Sequence, residues 1–307
     1  MENSRNTNRF STTDILLVFV AIIWGLNYVV TKISLREMNP LVFNSLRFVI
    51  GAVICWIILL LKEKDFRVSK RELVHLLMMG IVAHGINQVA FVYGVSKTSA
   101  STASLILAAT PMCVAFLASL LKLEKGNNKT IMGIIISFAG VALVVMGAAG
   151  GKGVSMESHF GNILIVIATL FWSLYTIMIR LYFKDISIVK VTTYSMTLTA
   201  IFFSMISLKP ILAASWDTYS SIAWGGVVFS GVFVFGISYI LWNIGVRKVG
   251  ATRTSIYANL PPFISILSGW LILGEVITKT QLMGGMLIIY GLIYASQKNK
   301  IGQDEDT

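Results

Sequence analysis

Residues 94–140 read GVSKTSASTASLILAATPMCVAFLASLLKLEKGNNKTIMGIIISFAG, and residues 245–291 read GVRKVGATRTSIYANLPPFISILSGWLILGEVITKTQLMGGMLIIYG. The two stretches align without a gap at a fixed offset of 151 residues. Eleven positions are identical: Gly94/Gly245, Val95/Val246, Lys97/Lys248, Ala100/Ala251, Ser104/Ser255, Pro111/Pro262, Leu120/Leu271, Glu124/Glu275, Met132/Met283, Gly133/Gly284 and Gly140/Gly291. If five membrane crossings separate the copies, the odd number turns the second copy over relative to the first. Inverted repeats around a midplane cavity are a common build for a solute carrier.

The rest of the chain supplies those crossings. It is 56% hydrophobic and 13% charged, with a mean hydropathy of +0.78. Ten apolar runs occupy 15–31, 41–61, 73–93, 99–121, 130–149, 161–179, 191–208, 222–246, 254–273 and 280–297. Each is long enough to cross a bilayer, and runs this apolar cross as helices. The expectation is an all-α membrane protein of ten transmembrane helices in two inverted five-helix repeats. The first repeat covers 14–149 and the second 160–297, joined by a glycine-rich loop at 150–159 and flanked by tails at 1–13 and 298–307. The connections are too short to hold a separate soluble domain.

The net charge of +11 raises the question of nucleic acid. The 25 basic residues are instead scattered over the loops. With the N-terminus inside, 18 of them fall on cytoplasmic segments and 6 on outer loops, and Arg47 lies within a span. That bias follows the tendency of Lys and Arg to stay on the cytoplasmic side. It predicts a multi-pass protein of the plasma membrane with both termini cytoplasmic, bilayer as its partner and no nucleic acid. Cys55 and Cys113 lie in apolar runs without CxxC spacing, which reads as inert thiols and no metal site. No cofactor is expected.

The opening helices of the two halves also match. Trp24-Gly25-Leu26 and Trp172-Ser173-Leu174 sit 148 residues apart, followed by Lys32 and Arg180. The stretch AIIWGLNYVVTKISLREMNPLVFNSLRFVIGAV, with Trp24-Gly25, Asn27, Lys32, Pro40 and Arg47-Phe48, resembles the opening of EamA-type members of the drug/metabolite transporter superfamily. AFVYGVSKTSASTASLILAATPMCVAFLASLLKLEK resembles the fourth helix of that family, and the segment around Pro262 and Gly274-Glu275 repeats it. The resemblance spans about residues 14–297. It implies a ten-helix transporter with cytoplasmic termini, and an export direction. It does not fix a substrate, because the superfamily moves amino acids, other metabolites, drugs and nucleotide sugars.

Polar and aromatic side chains concentrate on five helices. Helix one carries Trp24 and Asn27, and helix three carries His84, Asn87 and Gln88. Helix six carries Trp172 and Tyr175, helix eight Tyr239, Trp242 and Asn243, and helix nine Tyr257. His84–Asn87–Gln88 and Tyr239–Trp242–Asn243 each share one helical face. The 151 offset sets Gln88 against Tyr239, so helices three and eight present related faces. Amides are expensive in lipid, so these faces point inward. They either hydrogen-bond helix to helix or line a cavity with aromatic walls and a few orienting amides. As a set they are read as substrate-binding.

Arg47 sits seven residues into helix two, roughly 10 Å deep by helical rise. Either it faces the cavity and attracts a carboxylate or phosphate, or it snorkels or bonds a helix-end carbonyl. Glu124 and Glu275 end helices four and nine on opposite membrane faces, where a carboxylate opposes the helix dipole and calls for a partner. Pro111 and Pro262 interrupt the same two helices and give each half a bending point. These five residues are assigned gating or structural roles. Glycines 133, 140 and 147 on helix five, and 284 and 291 on helix ten, recur every seven residues. Such faces pack helix on helix, within the chain or in a homodimer.

None of the 14 acidic residues falls at mid-membrane, so facilitated diffusion or exchange is favoured, with weak proton coupling through His84 as a second route. A small neutral or zwitterionic solute fits this inventory, an amino acid or related compound first, drugs or nucleotide-linked metabolites next. An enzyme would need a reactive cluster such as HExxH or paired aspartates, and His75, His84 and His159 are isolated. A receptor or assembly subunit would be expected to carry an extramembrane domain.

Overall fold

A computed structural model of the chain describes residues 12–121, 123, 128–147, 156–183 and 185–296. Every long element among them is a helix: α1 (Thr12–Ser34), α2 (Pro40–Lys62), α3 (Lys70–Lys97), α4 (Ala100–Leu120), α5 (Asn128–Gly147), α6 (Met156–Tyr182), α7 (Ile188–Ile206) and α8 (Ser221–Val249). They are followed by α9, in the three pieces Ala251–Ile256, Tyr257–Asn259 and Pro261–Leu273, and by α10 (Lys279–Ser296). Eight of these helices are long and apolar enough to cross a membrane, and α5 adds a shorter apolar stretch at Ile131–Gly147.

The radial distribution of side chains is that of a membrane protein. Large apolar groups at helical spacing face outward: Ile15, Phe19 and Ile22 on α1, Val49, Val53 and Ile57 on α2, Phe263, Leu267 and Trp270 on α9. Polar groups are buried and bonded inside, including Asn27, Asn44, Arg47, Asn87 and Asn243. Lipid tails satisfy the first pattern and forbid the reverse.

The glycine faces close on each other within one chain. A Cβ added at Gly140 would lie 2.6 Å from the Gly284 carbonyl oxygen, and one at Gly284 would lie 2.6 Å from that of Gly140. Gly133 and Gly291 form the same reciprocal contact. Between them Ser137 Oγ donates to the Ile288 carbonyl at 3.1 Å. Small residues let the two backbones touch, which is how helices associate where water supplies no drive. Of the two uses these faces allow, within the chain or between copies, the structure shows the first: α5 and α10 pack them on one another.

Contacts recur at the repeat spacing elsewhere. Gly25 on α1 has no room for a Cβ, which would sit 2.9 Å from the Pro261 carbonyl. Its counterpart Ser173 on α6 reaches the Thr110 carbonyl at 3.5 Å, and Thr110 stands 151 residues before Pro261. Two π-helical stretches, Met78–Gly85 in α3 and Ser230–Ser238 in α8, also fall at corresponding places. Wide turns of this kind mark functional helices more often than ordinary ones.

Both prolines act at a break. The regular part of α4 runs Ala100–Leu107, turns through Ala108 and Ala109, and restarts at Thr110. Pro111 has no N–H for the Leu107 carbonyl, and Thr110 Oγ1 donates to that carbonyl instead, at 2.6 Å. In α9 the pieces before Pro261-Pro262 tighten into the Tyr257–Asn259 turn. The interruptions thus lie in the turn before each proline, where the missing N–H and the ring's clash with the carbonyl four residues back break the helical ladder.

Candidate functional site

Five helices meet around a cavity of about 70 Å³ lined by Trp24, Asn27, Tyr28, Asn87, Gln88, Phe91, Leu107, Trp172, Val234, Phe235 and Tyr239. Six of the expected binding residues are there: Trp24, Asn27, Asn87, Gln88, Trp172 and Tyr239. Trp24 and Trp172, the matching tryptophans of the two halves, meet edge to face at 5.3 Å. Tyr239 closes the triangle, 5.9 Å from Trp24 and 5.3 Å from Trp172.

The other five stand behind or away from this wall. Trp242 packs on Trp24 at 4.8 Å, and Tyr175 stacks on Trp172 at 5.1 Å. Asn243 donates to Tyr175 Oη at 3.1 Å and to Thr192 Oγ1 at 2.8 Å, so it braces α8 against α6 and α7. His84 is fully buried, 2.9 Å from the Tyr239 hydroxyl and 3.4 Å from Thr199 Oγ1. Tyr257 is the clearest departure. Its hydroxyl donates to Asp14 Oδ1 at 2.7 Å, in the first turn of α1 and far along the helix from Trp24. Asp14 is itself buried, an acidic group at a helix N-terminus where the dipole favours it.

Phe91, Leu107, Val234 and Phe235 are lining residues that the polar pattern did not single out. A signal for two of them was available, because Phe91 lies three residues after Gln88 and Phe235 four before Tyr239, on the same helical faces.

Arg47 is completely buried and, among the described residues, pairs with no carboxylate. Nε donates to Asn44 Oδ1 at 2.7 Å, Nη2 to Gln88 Oε1 at 2.9 Å and Nη1 to Thr31 Oγ1 at 3.4 Å. The rings of Phe43 and Phe235 lie 4.7 and 4.8 Å from its Cζ, and that of Phe91 5.8 Å. The guanidinium therefore neither snorkels nor bonds a helix end. It sits one side chain behind the cavity wall, since Gln88, Phe91 and Phe235 all line the cavity. Burying a cation costs several kcal/mol, so hydrogen bonds and ring faces carry a burden here that a carboxylate would normally share.

Arginine can only donate, and this orients the whole chain of bonds beyond it. Gln88 must present Oε1 to Arg47, which turns Nε2 toward Asn87 Oδ1 at 2.7 Å and the Tyr239 hydroxyl at 3.4 Å. The Tyr239 oxygen accepts from Gln88, and its proton is then directed to His84 Nε2. His84 in turn carries its proton on Nδ1, toward Thr199, whose hydroxyl donates to the Gly80 carbonyl inside the π-helical stretch of α3. A single polarity runs from Arg47 to α7.

A charged clamp stands at one end of the bundle. Gly274 takes a left-handed φ of 67° and ends α9, so the chain doubles back at Glu275. The Glu275 carboxylate accepts from Ala100 N at 2.8 Å, Ser101 N at 2.9 Å and Ser101 Oγ at 2.6 Å, which caps α4. Lys32 Nζ binds the carbonyls of Val95, Ser96 and Thr98 at 2.9, 3.1 and 2.5 Å, at the end of α3. The partner that Glu275 calls for is thus the N-terminus of α4. Glu124, its counterpart, lies outside the described residues.

A multi-helix membrane protein with a central chamber of amides and aromatic rings is the class these features define. The model of the EamA-like transporter family matches residues 11–146 and again 159–297, and the chain belongs to that family. Among its relatives, the uncharacterized transporter YyaM of Bacillus subtilis (strain 168) is 27% identical over 284 residues, covering 92% of each chain. The uncharacterized transporter YetK of the same organism is 26% identical, over 90% of this chain and 84% of the relative. A protein of Salmonella typhimurium named "Probable amino-acid metabolite efflux pump" is 24% identical, over 90% of this chain and 92% of its own. A crystal structure with 19% sequence identity matches the fold with a TM-score of 0.70, over 93% of this chain and 98% of that one. The protein is a multi-pass membrane transporter, and its relatives are named transporters rather than enzymes.

Proposed function

We propose that this transporter moves a small polar organic metabolite, an amino acid or a related compound, out of the cell across the plasma membrane by alternating access. Ten transmembrane helices form two inverted five-helix repeats, over 14–149 and 160–297 with a joining loop at 150–159, and both termini are cytoplasmic. One observation carries the reading. Gln88 and Tyr239, equivalent positions 151 residues apart, are hydrogen-bonded to each other in the wall of a polar and aromatic cavity. A carrier that exchanges the roles of two inverted halves keeps its solute at their common axis. The distribution of basic residues supports the orientation.

The cavity of about 70 Å³ favours a small solute over a drug-sized or nucleotide-linked one. Among the described residues its lining has no carboxylate to carry a cation, which supports facilitated diffusion or exchange. The Salmonella relative's name supports the amino-acid class and the outward direction. The substrate-binding set is Trp24, Asn27, Asn87, Gln88, Trp172 and Tyr239, with His84, Tyr175, Trp242 and Asn243 bracing it. Flux of labelled amino acids from proteoliposomes tests the proposal. Saturable movement of at least one, reduced in Asn87→Ala and Tyr239→Ala, is expected; flux no greater than from empty liposomes across the twenty standard amino acids would overturn it.

A further inference from the structure

We infer that the cavity selects solutes bearing a carboxylate or an equivalent anionic group, held on the Asn27–Gln88 side of the chamber in front of Arg47. The inference rests on the reading of this cavity as the transport site and names the chemistry that site recognises.

Charge is the first ground. Arg47 is buried without a carboxylate partner among the described residues, and three of the side chains against it form the cavity wall. No acidic residue lines the cavity among the described residues. An anion in the chamber would supply the missing opposite charge, and a solute bearing only positive charge would add to the imbalance.

Hydrogen-bond inventory is the second, independent ground. The amide oxygens on the wall are already engaged: Gln88 Oε1 by Arg47, Asn87 Oδ1 by Gln88, Asn27 Oδ1 by Ser230 Oγ at 2.7 Å. Donors are open. With its oxygen fixed by Ser230, Asn27 has its NH2 group left for the chamber, and no hydrogen bond from that group exists among the described residues. The indole N–H of Trp24 is buried without a partner. A wall whose amide oxygens are engaged and whose Asn27 NH2 and Trp24 N–H lack partners favours an acceptor, and a carboxylate is the acceptor-only group of ordinary metabolites. The ring faces of Trp24, Trp172 and Tyr239 remain for an ammonium group or an apolar side chain. A zwitterion would then lie with its acid end at the Asn27 NH2 group, on the Arg47 side of the chamber, and its other end over the rings. Arg47 acts here as a positioning and charge-setting residue, through Gln88 and through its field.

Three sets of probes on the purified full-length protein test this by thermal shift and by competition. The first holds L-amino acids, the second their amides and decarboxylated amines, and the third simple carboxylates with no amine. Acids are expected to bind at least about tenfold more tightly than their matched amides and amines, a difference of about 1.4 kcal/mol. Arg47→Lys should keep the preference and Arg47→Met should reduce it below about threefold, roughly 0.7 kcal/mol. Because Arg47→Met strands Gln88 and Asn44 and risks unfolding, Asn27→Asp provides a second reading. It keeps the acceptor for Ser230 and turns a negative oxygen to the chamber, so it too should abolish the preference for acids. Equal binding of acids and amides, binding of amines alone, or an acid preference unchanged in folded Arg47→Met or Asn27→Asp would overturn the inference. Binding of simple carboxylates but no amino acid would uphold it while refuting the amino-acid proposal. Silence of all three sets would refute both.

Discussion

Gln88 Nε2 donates to the hydroxyl of Tyr239 at 3.4 Å, and the two residues occupy the same position in successive copies of the repeat. A residue can touch its own counterpart only on the axis that relates the copies. Ser137 with Ile288 and Trp24 with Trp172 are two further self-contacts of this kind. Tyr239→Phe removes the hydroxyl that links Gln88 to His84. It should lower stability by about 1–2 kcal/mol, as expected when buried donors and acceptors lose a partner. Gln88→Leu should cost more, because it also leaves Arg47 without its Nη2 acceptor. In a double-mutant cycle the pair should couple by about 0.5–3 kcal/mol, read from unfolding in detergent. Additive effects would mean that the contact carries no energy.

The packing of α5 on α10 makes a sharper demand. Gly140→Leu and Gly284→Leu would each drive a side chain into the opposing backbone, where even a Cβ has only 2.6 Å. Each should destabilise by more than about 3 kcal/mol, the upper range of overpacking costs. Gly225→Ala, on α8 with nothing within 4 Å of the added Cβ, should change stability by less than about 0.5 kcal/mol. Yield and melting temperature of the monodisperse protein separate these cases. A folded Gly140→Leu protein that had merely lost a dimer would restore the interchain reading of the glycine face.

Much of this architecture could be read from residues alone, because lipid imposes simple patterns. The spans follow from apolar length, and the repeat from eleven shared positions. The amides of α3 announce an inward face because they have no other affordable place. What sequence could not distinguish was the use made of each polar group once inside. Asn243 and Asn87 look alike in a string of letters, yet the first braces Tyr175 and Thr192 while the second reaches the cavity. Tyr257 lies away from the cavity and bonds Asp14, a partner 243 residues distant that no local pattern announces. Phe235 was overlooked because an apolar residue on an apolar helix gives no contrast. The reciprocal closure of α5 and α10 needed coordinates, since a glycine stripe serves one chain or two equally well.

Outside the spans, Glu37 gives a pH prediction with a definite sign. Its carboxylate accepts from Ser220 N and Ser220 Oγ, both at 2.8 Å, and fastens the α1–α2 turn to the start of α8. The Ser220 backbone N–H, then its hydroxyl, hold the Glu37 carboxyl below its ordinary value. A depressed folded pKa means that the contribution is complete above the unfolded carboxyl value, near 4.5, and is lost as pH falls through the lower folded one. The protection of the Ser220 amide, the slowing of its exchange relative to the intrinsic rate at each pH, should therefore fall on acidification through that window. Glu37→Gln should exchange faster at neutral pH and show little further change on acidification. An amide whose exchange follows only intrinsic acid chemistry in both proteins would remove Glu37 from this role.

Glu275 offers a test of alternation itself. Its carboxylate holds two backbone N–H groups and a hydroxyl at the start of α4, and Lys32 holds three carbonyls at the end of α3, so the α3–α4 turn is gripped by opposite charges from α9 and α1. Gly269 is part of the fit, since a Cβ there would lie 2.9 Å from Glu275 Oε2. Removing a cap of this kind costs about 0.5–2 kcal/mol. In a carrier whose faces exchange by a few kcal/mol, that is enough to redistribute its states. Glu275→Ala should raise the labelling rate of a cysteine placed at Thr98, in a background lacking Cys55 and Cys113, by several-fold. Glu124→Ala, the same change in the other copy, should leave that rate unchanged or lower it. Equal increases from both substitutions would show general loosening rather than a shift between two faces.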